Sequence, residues 1–364
     1  MIGQRLRRAR SAAGLSLRDL EARIGKRVTA QAINKYERGE SMPGSGVLIA
    51  LADALGVSVD YLTGDPEIVL DAVEFRKKKL ARRREEAHVE ARVVDRMERY
   101  LTVEEILAMP SVAWDAPREA PYPVVNEVGD AEHAARGLRA HWTLGVDPIP
   151  NLVELLEGRG IKVLSIDLTD IDGLTARVRR GNRKPMPVVV VNRANWGERQ
   201  RFTLAHELGH MALGVASRID AEKAAHRFAG AFLMPREALW TEIGKHRRSI
   251  GWSELFELKR IFGVSVQALA IRCRDLGIFN ATLTQRLFHE FSRRGWRTPP
   301  YKEPFAMRGE QPRRFERLCF RALAENAVSE TRAAELLGIT VHELNRRMEE
   351  PPDAEYAANY RPGL

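Results

Sequence analysis

Residues 201–210 read Arg-Phe-Thr-Leu-Ala-His-Glu-Leu-Gly-His, and the rest of the chain can be interpreted around them. In a helix, the four-residue spacing of His206 and His210 places both imidazoles on one face, about one turn apart. Two neutral imidazoles and one carboxylate suit zinc and leave a position for a water molecule, whose pKa falls to about 7 on the metal. Glu207 can take the proton of that water as it attacks a peptide carbonyl, so the pattern predicts hydrolytic chemistry.

The residues around this stretch favour a buried helix that follows a strand. Residues 187–191 are a proline and four valines, which predict a strand. Apolar side chains recur through residues 202–213 and supply the wide surface of a buried helix. The alternative interpretation is that His206 and His210 are core residues that hydrogen-bond to backbone carbonyls.

A second apolar helix is predicted over residues 222–234, and Pro235 ends it. Glu222 lies at its beginning and supplies the carboxylate that a zinc site with two imidazoles still needs. His226 lies one turn further along the same face. There it can orient Glu222 or a ligand imidazole through an outer hydrogen bond.

Together, residues 206–210 and 222–235 resemble the ImmA/IrrE family of zinc peptidases, and the resemblance extends over residues 129–280. It implies a zincin-like metallopeptidase domain that binds Zn2+. The residues that it implies are His206, His210 and Glu222 as zinc ligands and Glu207 as general base. Many family members carry a second acid where this chain has Ala224, so Asp220 stays open as the alternative third ligand.

The composition describes a globular protein with a surplus of basic residues. The chain has 364 residues, enough for two or three domains, of which 44% are hydrophobic and 29% charged. Its net charge of +9 favours a polyanionic partner, although charge alone gives only non-specific attraction. Cys273 and Cys319 have no metal or redox spacing, and no apolar run approaches the roughly 18 residues of a membrane span. We therefore expect a cytoplasmic protein without a membrane segment or an export signal.

Residues 1–64 predict a five-helix bundle in which the third helix reads DNA. Ser16 and Thr29 can cap the second and third helices. On the third helix, Gln31 and Asn34 can pair with adenine edges in the major groove, and Lys35 with guanine or phosphate.

This bundle resembles the helix-turn-helix domain of the Cro/phage-repressor (XRE) family, most closely at residues 31–39 and 51–57. By this resemblance the base-facing positions on a double-stranded DNA operator are Ala30, Gln31, Asn34 and Lys35. Lys26 and Arg27 depart from the family pattern because they lengthen the turn before the third helix. The alternative is a helical bundle used only for dimerisation or protein contact.

Residues 65–128 read as a charged helical linker and a proline-rich connection. An apolar residue recurs every four positions at Val89, Val93, Met97 and Leu101. This spacing predicts a long amphipathic helix. The helix could pack against the peptidase domain, pair with a second copy in a homodimer, or lie along DNA phosphates, and a solvated connector is the ordinary outcome of such a charge run.

A small sheet is expected beside the metal-binding helices, from strands at residues 161–166, 176–179 and 188–191. An edge strand of this sheet could receive a substrate as an added strand through backbone hydrogen bonds. A sheet with both edges already paired would exclude that mode of recognition.

Residues 281–364 predict a helical C-terminal region. Within it, residues 329–344 read as a helix, a glycine turn and a capped helix, as in the N-terminal bundle. Arg346 and Arg347 are accompanied by acidic residues, which favours a packing or partner-binding role over a second DNA-binding element. The tail from Pro351 is expected to be disordered.

The predicted fold is therefore mostly α with a small β-sheet (α+β). Its predicted parts are a helix-turn-helix bundle (1–64), a linker (65–128), a zincin-like metallopeptidase domain (129–280) and a helical C-terminal region (281–364). The favoured function is a DNA-binding transcriptional regulator with a zinc-dependent endopeptidase. The family resemblance implies that it cleaves a partner repressor or antitoxin-like protein, in stress response or a toxin–antitoxin system. The alternatives are a transcription factor whose metallopeptidase-like domain is a non-catalytic sensor, and a toxin–antitoxin or immunity component that acts by binding. A pure sensor has no need of Glu207, which favours the enzyme.

Overall fold

The fold is mostly helical with one small mixed sheet, as the sequence predicts. The computed structural model describes residues 2–63, 68–77, 83–114, 124–168, 171–181, 184–298 and 301–349. The N-terminal helices are α1 (Ile2–Ala12), α2 (Leu17–Arg23), α3 (Ala30–Arg38), α4 (Ser45–Leu55) and α5 (Val59–Thr63). The strands are β1 (Ile68–Lys77), β2 (Lys162–Ile166), β3 (Ile171–Arg180) and β4 (Met186–Asn192). The middle helices are α6 (Arg83–Ile106), α7 (Asp130–His141), α8 (Leu152–Gly158), α9 (Gly197–Ala212), α10 (Ala221–Leu233), α11 (Arg236–Ile243), α12 (Trp252–Phe262) and α13 (Val266–Asp275). The C-terminal helices are α14 (Ala281–Arg293), α15 (Arg314–Ala324), α16 (Glu330–Leu337) and α17 (Val341–Glu349).

Helices α1 to α5 form a bundle around their own apolar core, whose fully buried members include Leu6, Leu20, Ile33, Leu51 and Leu62. The hydroxyl of Ser16 accepts a hydrogen bond from the backbone N–H of Asp19 and begins α2. The hydroxyl of Thr29 caps α3 in the same way. Gly39 ends α3 at a φ of 73°, in the left-handed region that favours glycine. The predicted five-helix bundle and its caps are confirmed.

The sheet has the strand order β1-β3-β4-β2. Strand β3 runs antiparallel to both of its neighbours, whereas β2 runs parallel to β4. Strands β2, β3 and β4 lie where the sequence predicts strands, and β3 is longer than expected. Among the described residues, the outer strands β1 and β2 each pair on one side only, so recognition of a substrate at a sheet edge stays a prediction.

Both faces of the sheet are covered by helices. Val188 and Val190 of β4 belong to a core shared with α6, while Val189 and Val191 belong to the core that contains α9 and α10. Successive side chains of a strand point to opposite faces, so an unbroken valine run is buried on both sides. The sheet therefore separates α6 from the helices that carry the histidines.

Helix α6 is the long helix predicted from the four-residue apolar spacing, and it packs on the sheet. Its buried apolar residues include Val89, Val93, Met97 and Leu101. Of the arrangements left open by the sequence, the structure has α6 packed against the sheet of the peptidase-like region. Its C-terminal end, at Val103, joins a further core with α15, α16 and α17.

Strand β1 differs from the prediction that residues 65–128 form a charged helical linker and a proline-rich connection. Residues 68–77 pair instead with β3 in an antiparallel register that opposes Ile68 to Arg180. The apolar run of this strand is short, Ile68, Val69 and Leu70, and many charged residues follow it. The composition of the segment as a whole therefore does not indicate a strand. The strand forms because β3 offers it an edge, and that edge lies far away in sequence.

Residues 115–123 of the predicted proline-rich connection and the tail at residues 350–364 lie outside the described residues. Over the part of the chain that is described, no helix is both long and apolar enough to cross a bilayer.

Candidate functional site

Buried contacts hold helix α9 at its first turn and again at Thr203. In the first turn, the buried Glu198 forms an ion pair of 2.5 Å with Lys259, whose ammonium also lies 2.6 Å from Glu303. Further along, Thr203 packs against β3 at Gly173, where a Cβ would lie only 2.9 Å from Thr203 Cγ2. These contacts set the position of the helix that carries the histidines.

The structure brings His206, His210 and Glu222 together. The Nε2 atoms of His206 and His210 are 3.0 Å apart. The carboxylate of Glu222 lies 3.2 Å from Nε2 of His206 and 3.3 Å from Nε2 of His210. The His206 side chain is 0% exposed, whereas that of Glu222 is 64% exposed, so the cluster opens to solvent on the side of α10.

The donor set of this cluster fits zinc. Two imidazole nitrogens and one carboxylate oxygen lie within 4.8 Å of one another, and this is the group found among the described His, Cys, Asp and Glu residues that could hold a metal ion. Catalytic zinc sites use such donors from three residues and keep a fourth position open. Glu207 follows His206 on α9 and is 2% exposed, next to the cluster. The roles of these residues stay predictions.

Asp220, the alternative third ligand, is occupied elsewhere. It is the N-cap of α10, and its carboxylate accepts a hydrogen bond of 3.1 Å from the backbone N–H of Lys223. That backbone hydrogen bond holds the pKa of Asp220 below its ordinary value. The geometry therefore favours Glu222 over Asp220 as the carboxylate that faces the imidazoles.

His226 lies beside the cluster on α10. Its Nδ1 is 2.9 Å from the backbone carbonyl oxygen of Glu222, one turn earlier. Its ring packs edge-on against that of His206, with 4.4 Å between the ring centroids. An Nδ1–H that donates to the carbonyl leaves Nε2 as an acceptor. These contacts are compatible with the orienting role predicted for His226.

Small residues allow α9 and α10 to approach closely enough for the cluster to form. A Cβ at Gly209 would lie 3.1 Å from Phe228 Cδ1 and 3.2 Å from the Cα of Ala225. Ala225 is itself fully buried. Gly209 lies inside the motif, two positions after Glu207, so the sequence shows the residue. It does not show that this glycine packs against α10.

A buried ionic cluster, not found from the sequence, holds α10 from the opposite side. The carboxylate of Glu132 on α7 accepts hydrogen bonds of 2.8 and 2.5 Å from Arg272 on α13 and of 2.9 Å from Arg227 on α10. Burial opposes ionisation, but the bonds and charges of the two guanidiniums hold the pKa of Glu132 below its ordinary value. Three helices far apart in sequence meet here, and no local pattern signals such a contact.

The predicted DNA-reading positions lie together on α3. Gln31 and Lys35 are exposed, and Ala30 and Asn34 are half-buried, while Ile33 on the opposite side enters the core. Ala30 and Asn34 are four residues apart, as are Gln31 and Lys35, so these two adjacent rows form one side of the helix. The structure thus brings the four predicted positions to one accessible surface.

A bidentate ion pair fixes α3 against α1. The guanidinium of Arg10 donates hydrogen bonds of 2.6 and 2.9 Å to the carboxylate of Glu37. The lengthened turn before α3 contains two consecutive left-handed residues, Gly25 at a φ of 67° and Lys26 at 56°. The turn therefore accommodates the extra residues at Lys26 and Arg27, and Ile33 of α3 still packs in the core of the bundle.

Comparison with known proteins identifies two families in the chain. Residues 6–62 match the family described as helix-turn-helix, and residues 156–274 match the IrrE N-terminal-like domain. A stretch of 66 residues is 42% identical to a Rhodospirillum rubrum protein named "Uncharacterized transcriptional regulator in ATPase CF(0) region". This stretch covers 18% of the chain and 59% of that relative.

The helix-turn-helix match covers α2 to α4 and most of the bundle, and the second match includes α9 and α10. The two family resemblances drawn from the sequence are thereby confirmed. The chain carries an XRE-type helix-turn-helix domain, which implies DNA binding, and an IrrE-like domain of a metallopeptidase family.

Proposed function

We propose that the chain is a transcriptional regulator that binds a DNA operator and hydrolyses a peptide bond in a partner protein. The observation that carries the enzymatic half is the cluster of His206, His210 and Glu222, with donor atoms within 4.8 Å and Glu207 buried beside it. In this proposal residues 1–64 are the DNA-binding domain and residues 129–280 the peptidase domain. From the intervening segment, strand β1 adds the outer strand of its sheet and helix α6 covers one face of that sheet.

His206, His210 and Glu222 would hold the zinc ion in the proposed reaction. A zinc ion bound there would supply a water of lowered pKa, about 7, and a Lewis acid for the peptide carbonyl. Glu207 accepts a proton from the attacking water at its carboxylate and passes it to the leaving amide nitrogen. The C–N bond breaks, and the products are a carboxylic acid and an amine.

The proposed substrate is a repressor or antitoxin-like protein, in stress response or a toxin–antitoxin system. The supporting feature is the presence of a DNA-binding domain on the same chain, since removal of a partner repressor changes transcription directly. Glu222 is 64% exposed, which leaves the cluster accessible to a polypeptide from the solvent side.

Metal analysis of the purified full-length protein tests the zinc site. We expect about one zinc ion per chain in the wild type and after Asp220→Ala, and loss of zinc in His206→Ala and Glu222→Ala. Retention of zinc in Glu222→Ala together with its loss in Asp220→Ala would reverse the ligand assignment. A wild-type protein that never retains zinc would overturn the enzymatic half.

Glu207→Gln tests catalysis separately from metal binding. We expect this variant to keep its zinc and to cleave candidate repressors roughly 10²–10⁴-fold more slowly than the wild type. Zinc without cleavage in the wild type would favour the non-catalytic sensor. Neither zinc nor cleavage would favour a toxin–antitoxin or immunity component that acts by binding.

The DNA-binding half predicts that α3 reads the operator. Gln31→Ala and Asn34→Ala should each lose on the order of 1 to 3 kcal/mol of discrimination against altered operator bases. The measurement is fluorescence anisotropy on an operator found by selection and on its single-base variants, with Arg286→Gln on α14 as an exposed control. Unchanged specificity in both α3 variants would contradict the proposed role of this helix.

A further inference from the structure

A concave pocket lies where three parts of the chain meet, away from the histidine cluster. Its volume is about 360 Å³. The ends of α1 and α4 in the DNA-binding bundle line one wall, at Ala12 and Gly56. Helix α6 forms the second wall, and the turn after α16, at Gly338 and Ile339, forms the third.

Arginines dominate the α6 wall. Arg92, Arg96 and Arg99 follow one another at spacings of four and three residues, which places them on one helix face. Arg99 forms an ion pair of 3.0 Å with Asp95, and Arg92 donates a hydrogen bond of 2.9 Å to the backbone carbonyl of Asp167. One carboxylate on this wall therefore faces three guanidiniums.

Arg96 is the arginine with an unused guanidinium. It is exposed into the pocket, and within the described ranges it makes neither a hydrogen bond nor an ion pair. Desolvation in this concave setting, and then the positive charge of Arg99, lower the pKa of Arg96. An anion in the pocket would relieve the repulsion between these neighbours.

The acid on the opposite wall does not neutralise this charge. The carboxylate of Glu335 is engaged with Ser58 and Arg332, which lower its pKa although burial opposes them. It is the backbone carbonyl of Glu335 that accepts a hydrogen bond of 3.0 Å from Arg99. The pocket therefore keeps a positive surplus that its own walls do not remove.

We propose that this pocket binds a small molecule that carries a phosphate group and is about the size of a mononucleotide. Guanidinium groups bind phosphate oxygens in a planar, bidentate manner. The volume lies at the lower end of the roughly 300–1,000 Å³ typical of small-molecule sites. Gly56, where an added Cβ would meet nothing within 4 Å, leaves room for the remainder of the molecule, and Ile339 adds an apolar residue to the lining.

A DNA phosphate is the less suitable occupant. The bundle contributes the C-terminal ends of α1 and α4 to the pocket, and none of the α3 positions proposed to read bases lines it. A small ligand would contact the bundle, α6 and α16 at once. Its binding would therefore stabilise the docked arrangement of these three parts by mass action.

The test is isothermal titration of the full-length protein with AMP, with adenosine as the matched ligand that lacks the phosphate. We expect AMP to bind more tightly than adenosine and to raise the thermal unfolding midpoint. Arg96→Gln should weaken AMP binding at least about tenfold, because one charge-assisted contact is lost. Arg286→Gln, an exposed helical arginine elsewhere, should bind AMP as the wild type does.

Several results would overturn the proposal. One is that AMP binds no better than adenosine to the wild type, a comparison that needs no variant to fold. Another is equal AMP affinity in Arg96→Gln and Arg286→Gln. Weaker DNA binding in Arg96→Gln with unchanged AMP affinity would assign Arg96 to the DNA backbone instead. Displacement of AMP by inorganic phosphate at the same concentration would overturn the proposed size of the ligand.

Discussion

Gly209 sets the distance between the helix that carries the histidines and the helix that carries Glu222. A Cβ added there would lie 3.1 Å from Phe228 and 3.2 Å from the Cα of Ala225, closer than side chains normally pack. The neighbouring backbone of α10 would have to give way, and Glu222 would move with it. Gly209 therefore affects the metal cluster through the packing of α9 against α10, and it has no side chain that could bind a metal.

We predict that Gly209→Ala weakens zinc binding roughly tenfold, because it displaces a ligand without removing it. Overpacking should also lower the free energy of unfolding of the metal-free protein by about 1 to 3 kcal/mol. Competition with a chromophoric chelator and thermal unfolding measure the two effects. Gly214→Ala is the control, since a Cβ at Gly214 has nothing within 4 Å. Equal zinc affinity in the two variants would show that α10 can shift without moving the carboxylate.

At the scale of a single element, α8 contributes a buried acid to the interface with the sheet. Burial raises the pKa of Glu157 from 4.5 to about 7, although Lys162, Arg314 and Arg317 lower it and Glu154 adds to the rise. The folded protein therefore holds a proton at Glu157 that the unfolded chain releases above its ordinary pKa. Stability from this group is fully present below about pH 4.5 and is lost as the pH rises to about 7.

This acid predicts a measurable pH dependence. Between these limits Glu157 should lower the free energy of unfolding by up to about 3 kcal/mol. Glu157→Gln should remove this slope and make the variant more stable than the wild type above pH 7. Urea unfolding across the pH range measures it, with the exposed Glu154→Gln on the same helix as control. A wild-type slope that persists in Glu157→Gln would place its origin elsewhere.

At the scale of the whole molecule, α6 joins the DNA-binding bundle to the rest of the chain. The buried guanidinium of Arg5 on α1 pairs with Glu98 of α6, and Arg8 lies 3.6 Å from the same carboxylate. The opposite side of α6 packs on the sheet, and its C-terminal end packs on the C-terminal helices. The bundle is thus docked on α6 through an ion pair, and the same helix contributes to the core of the sheet and to the core of the C-terminal helices.

We predict that Glu98→Ala destabilises the docked bundle by about 3 to 5 kcal/mol, because it removes the carboxylate that pairs with the buried guanidinium of Arg5. Hydrogen exchange should then accelerate in α1 and α6. The apolar pair Arg5→Met with Glu98→Leu should restore much of the protection, since it removes both buried charges. Glu105→Ala, which breaks a more exposed pair with Arg180, should cost less than about 1 kcal/mol. Unchanged exchange of α1 in Glu98→Ala would show that docking does not depend on this ion pair.

The candidate site could be predicted in part because some of its signals are local. His206 and His210 are one helical turn apart, so their meeting follows from helix geometry alone. Glu222 is a candidate from its place at the start of the next helix, and the family resemblance prefers it over Asp220. The tertiary contacts support that preference. The Glu132 cluster that holds α10 was beyond prediction, because its residues meet only after three helices pack.

The sequence by itself determined the helices, their caps, the paired histidines and the long amphipathic helix. Each of these depends on residues within about one or two turns of each other, because helix periodicity and capping involve only neighbouring residues. Only the tertiary structure decided that residues 68–77 become a strand, that Asp220 caps while Glu222 faces the imidazoles, and that α6 gathers arginines at a junction of three parts. These outcomes depend on which distant surfaces meet, and a backbone edge or a buried charge acquires its partner only when the chain has packed.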